Sequence, residues 1–470
     1  MIALLLLACA TTPQPPLEEA APRVFLPTPG PLPSWSPPVP EETTLENGLH
    51  LVLLQDTALP LVSVRLLLPG GTVADPPEAW GFTWLAAEMM EESTTSRSTA
   101  EVADEVKRLG GTFSVHAERM AVEVSMDLLS DRFEEGMDLL ADAVLRPAFH
   151  EADWDRVKGL HIEGLKRRWE EGRLLATDVA NLHFYGAENP LGWPVRGTPE
   201  SVGRVYRERV ATAQADFAVP GGSTLVVVGD LDADRVEAAL EHAFGDWSGA
   251  ATLPSLPAAM AGPASGPRTL LVDLPGASQT VLHVTAPGPA PGAETQVSAV
   301  MAGVVLGGSF TSRLNQLLRE EKGYTYGARA SFGAHGAQGV FHATTSVVAE
   351  STGDALVDLL GELQPERLSF TEEERHKARA QELADALDTG ETRAGLASRY
   401  AALVRQGLGP EAFSTSLDRM GQVSSQDMER VAQEWLAPER RLMVLVGDLE
   451  HIGPLLDSAA ISFERVEAPR

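Results

Sequence analysis

The sequence predicts an α+β chain of two homologous domains, each a mostly antiparallel sheet covered by helices, and three observations carry that prediction. Strand-like and helix-like segments come in separate runs, without the regular alternation that builds a parallel sheet. The run Leu225-Val-Val-Val-Gly-Asp-Leu-Asp232 returns as Met443-Val-Leu-Val-Gly-Asp-Leu-Glu450, each a buried strand closing on a Gly-Asp turn, and an echo about half a chain away is the mark of a duplicated unit. Finally, 470 residues are too many for one ordinary core. Residues 249–267, rich in Ala, Pro, Gly and Ser, read as a linker. They divide an N-terminal domain at 43–248 from a C-terminal domain at 268–466.

The first domain opens with a hairpin, 43–45 and 49–55, around Asn47-Gly48, the strongest short hairpin signal. A buried strand at 61–68 follows, and Pro69-Gly70-Gly71-Thr72 turns the chain into a helix through Trp84, Leu85 and Met89. Then come a helix at 99–109, strands at 112–116 and 121–126, a helix at 131–144 and one long helix at 151–173. Loops at 189–193 and 197–201 follow, the second capping the next helix with Thr198 and Glu200 or Ser201. The second domain starts with strands at 269–272 and 280–285 and a helix at 294–306. A helix at 311–321 places Leu314, Leu317 and Leu318 on one face and stops at Gly323. Tyr326 opens a strand to Phe332, another lies at Val340, and helices begin at Gly353 and at Thr371, the latter with Thr-Glu-Glu-Glu at the positive end of its dipole. His376 reads as a solvated helix residue, and His335 and His342, beside Gly-rich strand ends, read as surface residues.

The extreme N-terminus is not part of this fold. An apolar run ends in Leu6-Leu7-Ala8-Cys9, which resembles the lipobox of bacterial lipoproteins, where the cysteine is lipidated and becomes the new N-terminus. The run, 1–9 with Cys9, is too short to span a bilayer. A Pro-rich stretch, 10–42, then serves as a semi-rigid tether. The expected location is the bacterial cell envelope, lipid-anchored and facing the periplasm, with a soluble periplasmic or cytoplasmic protein as the alternative. Cys9 is the only cysteine, so an intramolecular disulfide and a Cys-based zinc site or nucleophile are excluded. A formal charge of −29 argues against nucleic acid and against direct docking on an anionic bilayer, which leaves the lipid as the membrane contact.

Two stretches carry the chemistry. One is the helix Gly81-Phe-Thr-Trp-Leu-Ala-Ala-Glu-Met-Met90, and the other is Gly307-Gly-Ser-Phe-Thr-Ser-Arg-Leu-Asn-Gln-Leu-Leu-Arg-Glu-Glu-Lys-Gly-Tyr-Thr-Tyr326. Together they resemble the insulinase/pitrilysin family of zinc peptidases, which includes the mitochondrial processing peptidases. In active members the first helix reads roughly G-L-A-H-x-x-E-H-M, two histidines holding Zn²⁺ and the glutamate activating water. Here those positions are Trp84, Ala87 and Glu88. The resemblance implies a third ligand on the helix around Asp155-Arg-Val-Lys-Gly-Leu-His-Ile-Glu163, with Glu163 at the corresponding place. Trp cannot ligate zinc, Ala cannot take a proton, and two carboxylates without imidazole make a poor zinc site. None of the eleven histidines shows H-x-x-x-H, H-E-x-x-H or H-x-x-E-H spacing.

The second stretch is similar to the family pattern G-x-x-x-S-R-L-x-x-x-L-R-E-x-x-G-x-x-Y at Ser312, Arg313, Leu314, Leu318, Arg319, Glu320, Gly323 and Tyr326. The resemblance implies that Arg319 and Tyr326 bind the substrate backbone and the developing oxyanion, a task suited to donors that do not themselves react. Tyr324 does not fit the spacing. Taken alone, an Arg at a helix end and a Tyr at a strand start are ordinary structural residues.

The expectation is therefore a non-catalytic subunit of a heterodimeric zinc metallopeptidase. It would grip extended peptides, partly as an added strand on a sheet edge, with no cofactor or metal of its own. The zinc would sit in a partner chain of the same family bearing H-x-x-E-H. The alternative is a non-proteolytic scaffold or peptide-binding lipoprotein of the cell envelope.

Overall fold

The computed structural model describes residues 30, 32, 34–252, 256, 262–263, 266 and 268–469. Cys9 with its apolar run, most of the Pro-rich tether and the middle of the 249–267 segment lie outside the described residues. From Ser36 to Arg470 the chain is one compact unit built around two six-stranded sheets.

The first sheet contains β1 (Glu41–Thr44), β2 (His50–Gln55), β3 (Leu61–Pro69), β4 (Thr112–Ala117), β5 (Ala121–Leu129) and β6 (Thr224–Gly229), in the order β1-β2-β6-β3-β5-β4. The second contains β7 (Arg268–Asp273), β8 (Gln279–Gly288), β9 (Thr325–His335), β10 (Gln338–Val348), β11 (Leu442–Gly447) and β12 (Glu464–Val466), in the order β12-β7-β11-β8-β10-β9. The orders superimpose: β6 and β11, the two strands of the sequence echo, sit at the same place in their sheets. Each is parallel to one neighbour and antiparallel to the other. Such a strand is buried on both faces, hence the unbroken apolar runs Leu225-Val-Val-Val and Val444-Leu-Val.

The helices in the first half are α1 (Phe82–Met90), α2 (Thr99–Arg108), α3 (Phe133–Leu145), α4 (Glu151–Arg168), α5 (Gly172–Tyr185), α6 (Pro199–Gly203), α7 (Arg207–Phe217) and α8 (Ala233–Phe244). In the second half they are α9 (Gln296–Gly303), α10 (Arg313–Asn315), α11 (Thr352–Glu362), α12 (Glu372–Gly390), α13 (Arg393–Arg405), α14 (Ala412–Met420), α15 (Ser425–Trp435) and α16 (Leu449–Ser458). Both α9 and α10 run on into widened helical turns, Val304–Gly308 and Gln316–Glu321. Capping boxes at Ser98, Thr198, Thr371 and Ser424 start α2, α6, α12 and α15.

The single helix expected at 151–173 is two. The chain turns at Trp169–Glu171, and α5 leaves its own half to lie on β8 and β11 of the second sheet. There Leu175, Ala176, Val179 and Ala180 join Leu270, Val272, Val281, Val444 and Val446 in one buried cluster. Gly172 marks the crossing, since a Cβ there would stand 3.1 Å from Val281 Cγ2. The second half reciprocates: α13, following α12 after a similar turn, lies across β3 and β6 of the first sheet. Arg393 pairs with Asp56 at 3.0 Å and Arg405 with Glu123. Arg65 on β3 donates to Ser398 Oγ at 3.3 Å and to Asp127 at 3.1 Å. Each sheet is thus covered on one face by a helix from the opposite half.

His335 and His342 are not the surface residues expected. With His283 they form a stack inside the second half, centroids 5.3 Å apart for His283 and His342 and 5.9 Å for His335 and His342. The Tyr185 hydroxyl on α5 is 3.1 Å from His335 Nδ1. Periodicity within β9 and β10 could not reveal this, because the cover comes from the other half of the chain. Burial drives His283 down to about 3, aided by His342, and His342 down to about 4, aided by the charge of Arg119. Neither ring nitrogen of His283 has a hydrogen-bond partner.

Candidate functional site

Helix α1 is aimed by its first turn. Gly81 starts it at φ 85°, and a Cβ there would stand 2.5 Å from the Arg196 carbonyl oxygen. The orphan N–H groups of that turn are collected by the buried Asp75, which accepts from Gly81 N at 2.8 Å, Phe82 N at 3.1 Å, Thr83 N at 2.9 Å and Thr83 Oγ1 at 2.6 Å. Burial pushes the Asp75 carboxyl up to about 7 while these four donors hold it down. The capping side chain lies seven residues ahead of the first helical residue, Phe82, where the search for a cap immediately before a helix does not find it.

At the position where the family pattern has its first histidine, Trp84 packs against a cation and a second ring. The Arg196 guanidinium lies 4.3 Å from the indole centroid, and the His161 ring stacks with it at 6.0 Å and 15°. His161 Nε2 is in turn bonded to the Arg196 carbonyl at 2.8 Å. Beside this stack Ala87 is buried and offers no donor, while burial raises the Glu88 carboxyl against the pull of Arg196 and His116.

Glu163 does not join them. The inward face of α4 is Trp154, Val157, His161 and Leu165, whereas Glu163 is exposed and paired with Lys166 at 2.7 Å. The residue that α4 presents to α1 is His161, two positions earlier on the other side of the helix. The donor set does not fit zinc, because an indole N–H has no lone pair to give, Ala87 has no donor atom, and one His161 nitrogen is already committed to a carbonyl. Among the described residues no three His, Cys, Asp or Glu side chains are grouped to hold a metal ion.

Arg319 and Tyr326 are brought together. They line one open cavity of about 680 Å³ beside β9, the strand that ends the second sheet. Arg319 stacks on Phe310, 4.0 Å from the ring centroid, with its Nε 3.3 Å from Glu320. Tyr326 is 94% exposed. Tyr324, two residues earlier, packs against the core instead. The widened turn Gln316–Glu321 is tied to β9 through Asn315, whose Oδ1 accepts from Ala328 N at 2.8 Å and whose Nδ2 donates to Ser309 O at 3.0 Å. Gly307 allows the closest approach, since a Cβ there would stand 2.1 Å from Ala330 N. The two halves present the same layout: α1 follows β3 and leans on the end strand β4, and α9 follows β8 and leans on the end strand β9.

Three further arginine and histidine positions escape a reading by motif. His161 and Arg196 complete the Trp84 stack, and Arg173, at the start of α5, reaches the Arg319 cavity from the other half. Only the crossing of α5 places Arg173 there.

The fold and site define a duplicated peptidase-like module in which Trp84 of α1 packs with Arg196 and His161 and in which Arg319 and Tyr326 line a groove of the second half. Residues 51–195 match the model of the insulinase family, peptidase family M16, and residues 204–382 match that of the peptidase M16 inactive domain. The chain belongs to this family, and it lacks the family's catalytic metal motif. An uncharacterized zinc protease of Bacillus subtilis is 23% identical over 339 residues, which cover 71% of this chain and 81% of that one. The mitochondrial-processing peptidase subunit alpha of Solanum tuberosum is 32% identical over 181 residues, 37% of this chain and 34% of that one. The peptidase M16 inactive domain from Pseudomonas fluorescens has a similar solved structure, with TM-score 0.79 at 21% identity, covering 87% of this chain and 98% of that one. A Helicobacter pylori protease gives TM-score 0.78 at 18% identity, covering 88% of this chain and all of that one (100%).

Proposed function

We propose that this chain is the substrate-gripping, non-catalytic subunit of a heterodimeric zinc metallopeptidase acting on extended peptides. One observation carries the reading: Arg319 and Tyr326 share an open groove at a sheet edge, while helix α1 carries Trp84, packed with Arg196 and His161, where the family pattern has a metal ligand. A peptide lying along β9 meets a guanidinium held by Phe310 and an exposed phenol, both hydrogen-bond donors suited to carbonyl oxygen. In this reading the zinc and the water-activating glutamate belong to a partner of the same family bearing H-x-x-E-H. The pairing is supported by the likeness to a processing-peptidase subunit. Cys9, once lipidated, would hold the pair at the bacterial envelope.

The test is reconstitution with such a partner and a fluorogenic peptide. Arg319→Ala and Tyr326→Phe should each lower turnover by roughly tenfold or more, the scale of a lost oxyanion donor. Unchanged turnover in both variants would sink the proposal.

A further inference from the structure

The cavity that holds Arg319 and Tyr326 is also lined by Arg173, from the start of α5, and by Arg329, on β9. Its remaining lining is Gly, Ala, Ser, Thr, Asn and Phe, with no carboxylate. That is unexpected in a chain with 66 acidic and 37 basic residues. Most arginines elsewhere are occupied: Arg65, Arg97, Arg108, Arg168, Arg235 and Arg313 all hold carboxylates within 3.1 Å. Arg319 has a neighbour in Glu320, but among the described residues Arg173 and Arg329 form no ion pair. Both are exposed, so at one cavity mouth two guanidinium groups without a carboxylate partner stand open to an incoming anion.

We infer that this cavity is a carboxylate-binding subsite, and that Arg173 and Arg329 select peptides carrying an anionic group beside the segment gripped by Arg319 and Tyr326. The inference rests on the peptide-gripping reading and adds a substrate class to it. A guanidinium fork matches a carboxylate with two parallel hydrogen bonds. The surrounding negative charge of the chain works against non-specific capture of acidic peptides, so the attraction is confined to the cavity mouth and is screened by salt. The carboxylate comes either from the peptide's C-terminus or from an Asp or Glu side chain, and both present the same planar pair of oxygens.

The experiment is fluorescence anisotropy of the full chain with three labelled peptides of otherwise identical sequence. One has a free C-terminal carboxylate and an internal Asn, one an amidated C-terminus and an internal Asp, and one an amidated C-terminus and an internal Asn. At least one anionic peptide should bind about tenfold more tightly than the neutral one at low salt, and which one identifies the source. The double variant R173Q/R329Q should erase that preference, so that the three peptides bind alike. The single variant R329Q, at an exposed strand position, should remove part of it. Equal binding of all three peptides, or a preference that survives in R173Q/R329Q, overturns the carboxylate subsite while leaving peptide gripping intact. Binding of none of the peptides, with the chain folded by circular dichroism, overturns both.

Discussion

Trp84 and His161 face each other across the junction of α1 and α4 with ring centroids 6.0 Å apart and planes 15° from parallel. The indole has therefore become part of the packing that joins two helices, with the Arg196 guanidinium also against the ring at 4.3 Å. Trp84→Ala should cost about 2–3 kcal/mol of unfolding free energy, at the low end for Trp truncation because the ring is partly exposed. Urea unfolding checks it. A cost below half a kcal/mol would mean the stack is a bystander.

Asp75 predicts a separate effect on the same helix. Asp75→Ala removes the acceptor for four donors in a buried place and should cost about 2–4 kcal/mol. Asp75→Asn, which keeps one acceptor oxygen but brings an NH₂ up to N–H donors, should recover only part of that. Comparing the two by denaturant midpoint separates capping from shape.

The histidine stack predicts a pH dependence. His342 is held near 4 and His283 near 3 in the folded chain, against the usual 6.5. Between these values the unfolded chain binds more protons than the folded one, so stability rises with pH. The contribution is fully present above about pH 6.5 and is lost as pH falls toward 4, on the order of a few kcal/mol across that window. The buried carboxyls of Asp75 and Glu382, both pushed up to about 7, act in the opposite direction over the same range, so the check is a difference: thermal melts from pH 7 to 4.5 should lose less stability, or gain more, in His342→Asn than in the unaltered chain. An equal slope in the variant would place the titration elsewhere.

Arg65 predicts coupling between the halves. It is buried on β3, bonded to Asp127 and to Ser398 on α13. Arg65→Ala leaves carboxylates without their cation and should cost about 3 kcal/mol. The loss should appear in a single transition followed alike by tryptophans of the first half and by Trp435 of the second. Two resolved transitions would contradict the cover of each sheet by the other half's helix.

Much of the fold was legible because it is local. Asn47-Gly48 marked the first hairpin, the paired Gly-Asp turns marked the duplication, and the Leu314, Leu317, Leu318 stripe with Gly323 marked the segment that carries Arg319. The choice between Tyr324 and Tyr326 also follows spacing: the first is packed and the second is exposed. What escaped is contributed across distance. The break after Trp169 could not be read, since both sides of it are helix-forming, and without that break neither Arg173 in the cavity nor the cover over His335 and His342 is visible. Glu163 was assigned by counting along the chain, but the inward face of α4 is set by Trp154, Val157, His161 and Leu165. Asp75 was missed because it caps from a loop closed by Gly70, Gly71 and Gly81 rather than from the position next to the helix.

The exchange of α5 and α13 has a consequence for what the two copies can still be. Expressed alone, the first half would show water the faces of β3 and β6 that Leu396 and Ala397 of α13 help to cover, and the second would show β8 and β11. Such bare sheet faces adhere to one another. Only the two fragments produced together should be recovered in solution, reassembled through the exchanged helices. The duplicated units have stopped being modules, so neither can be lost, shuffled or replaced without the other.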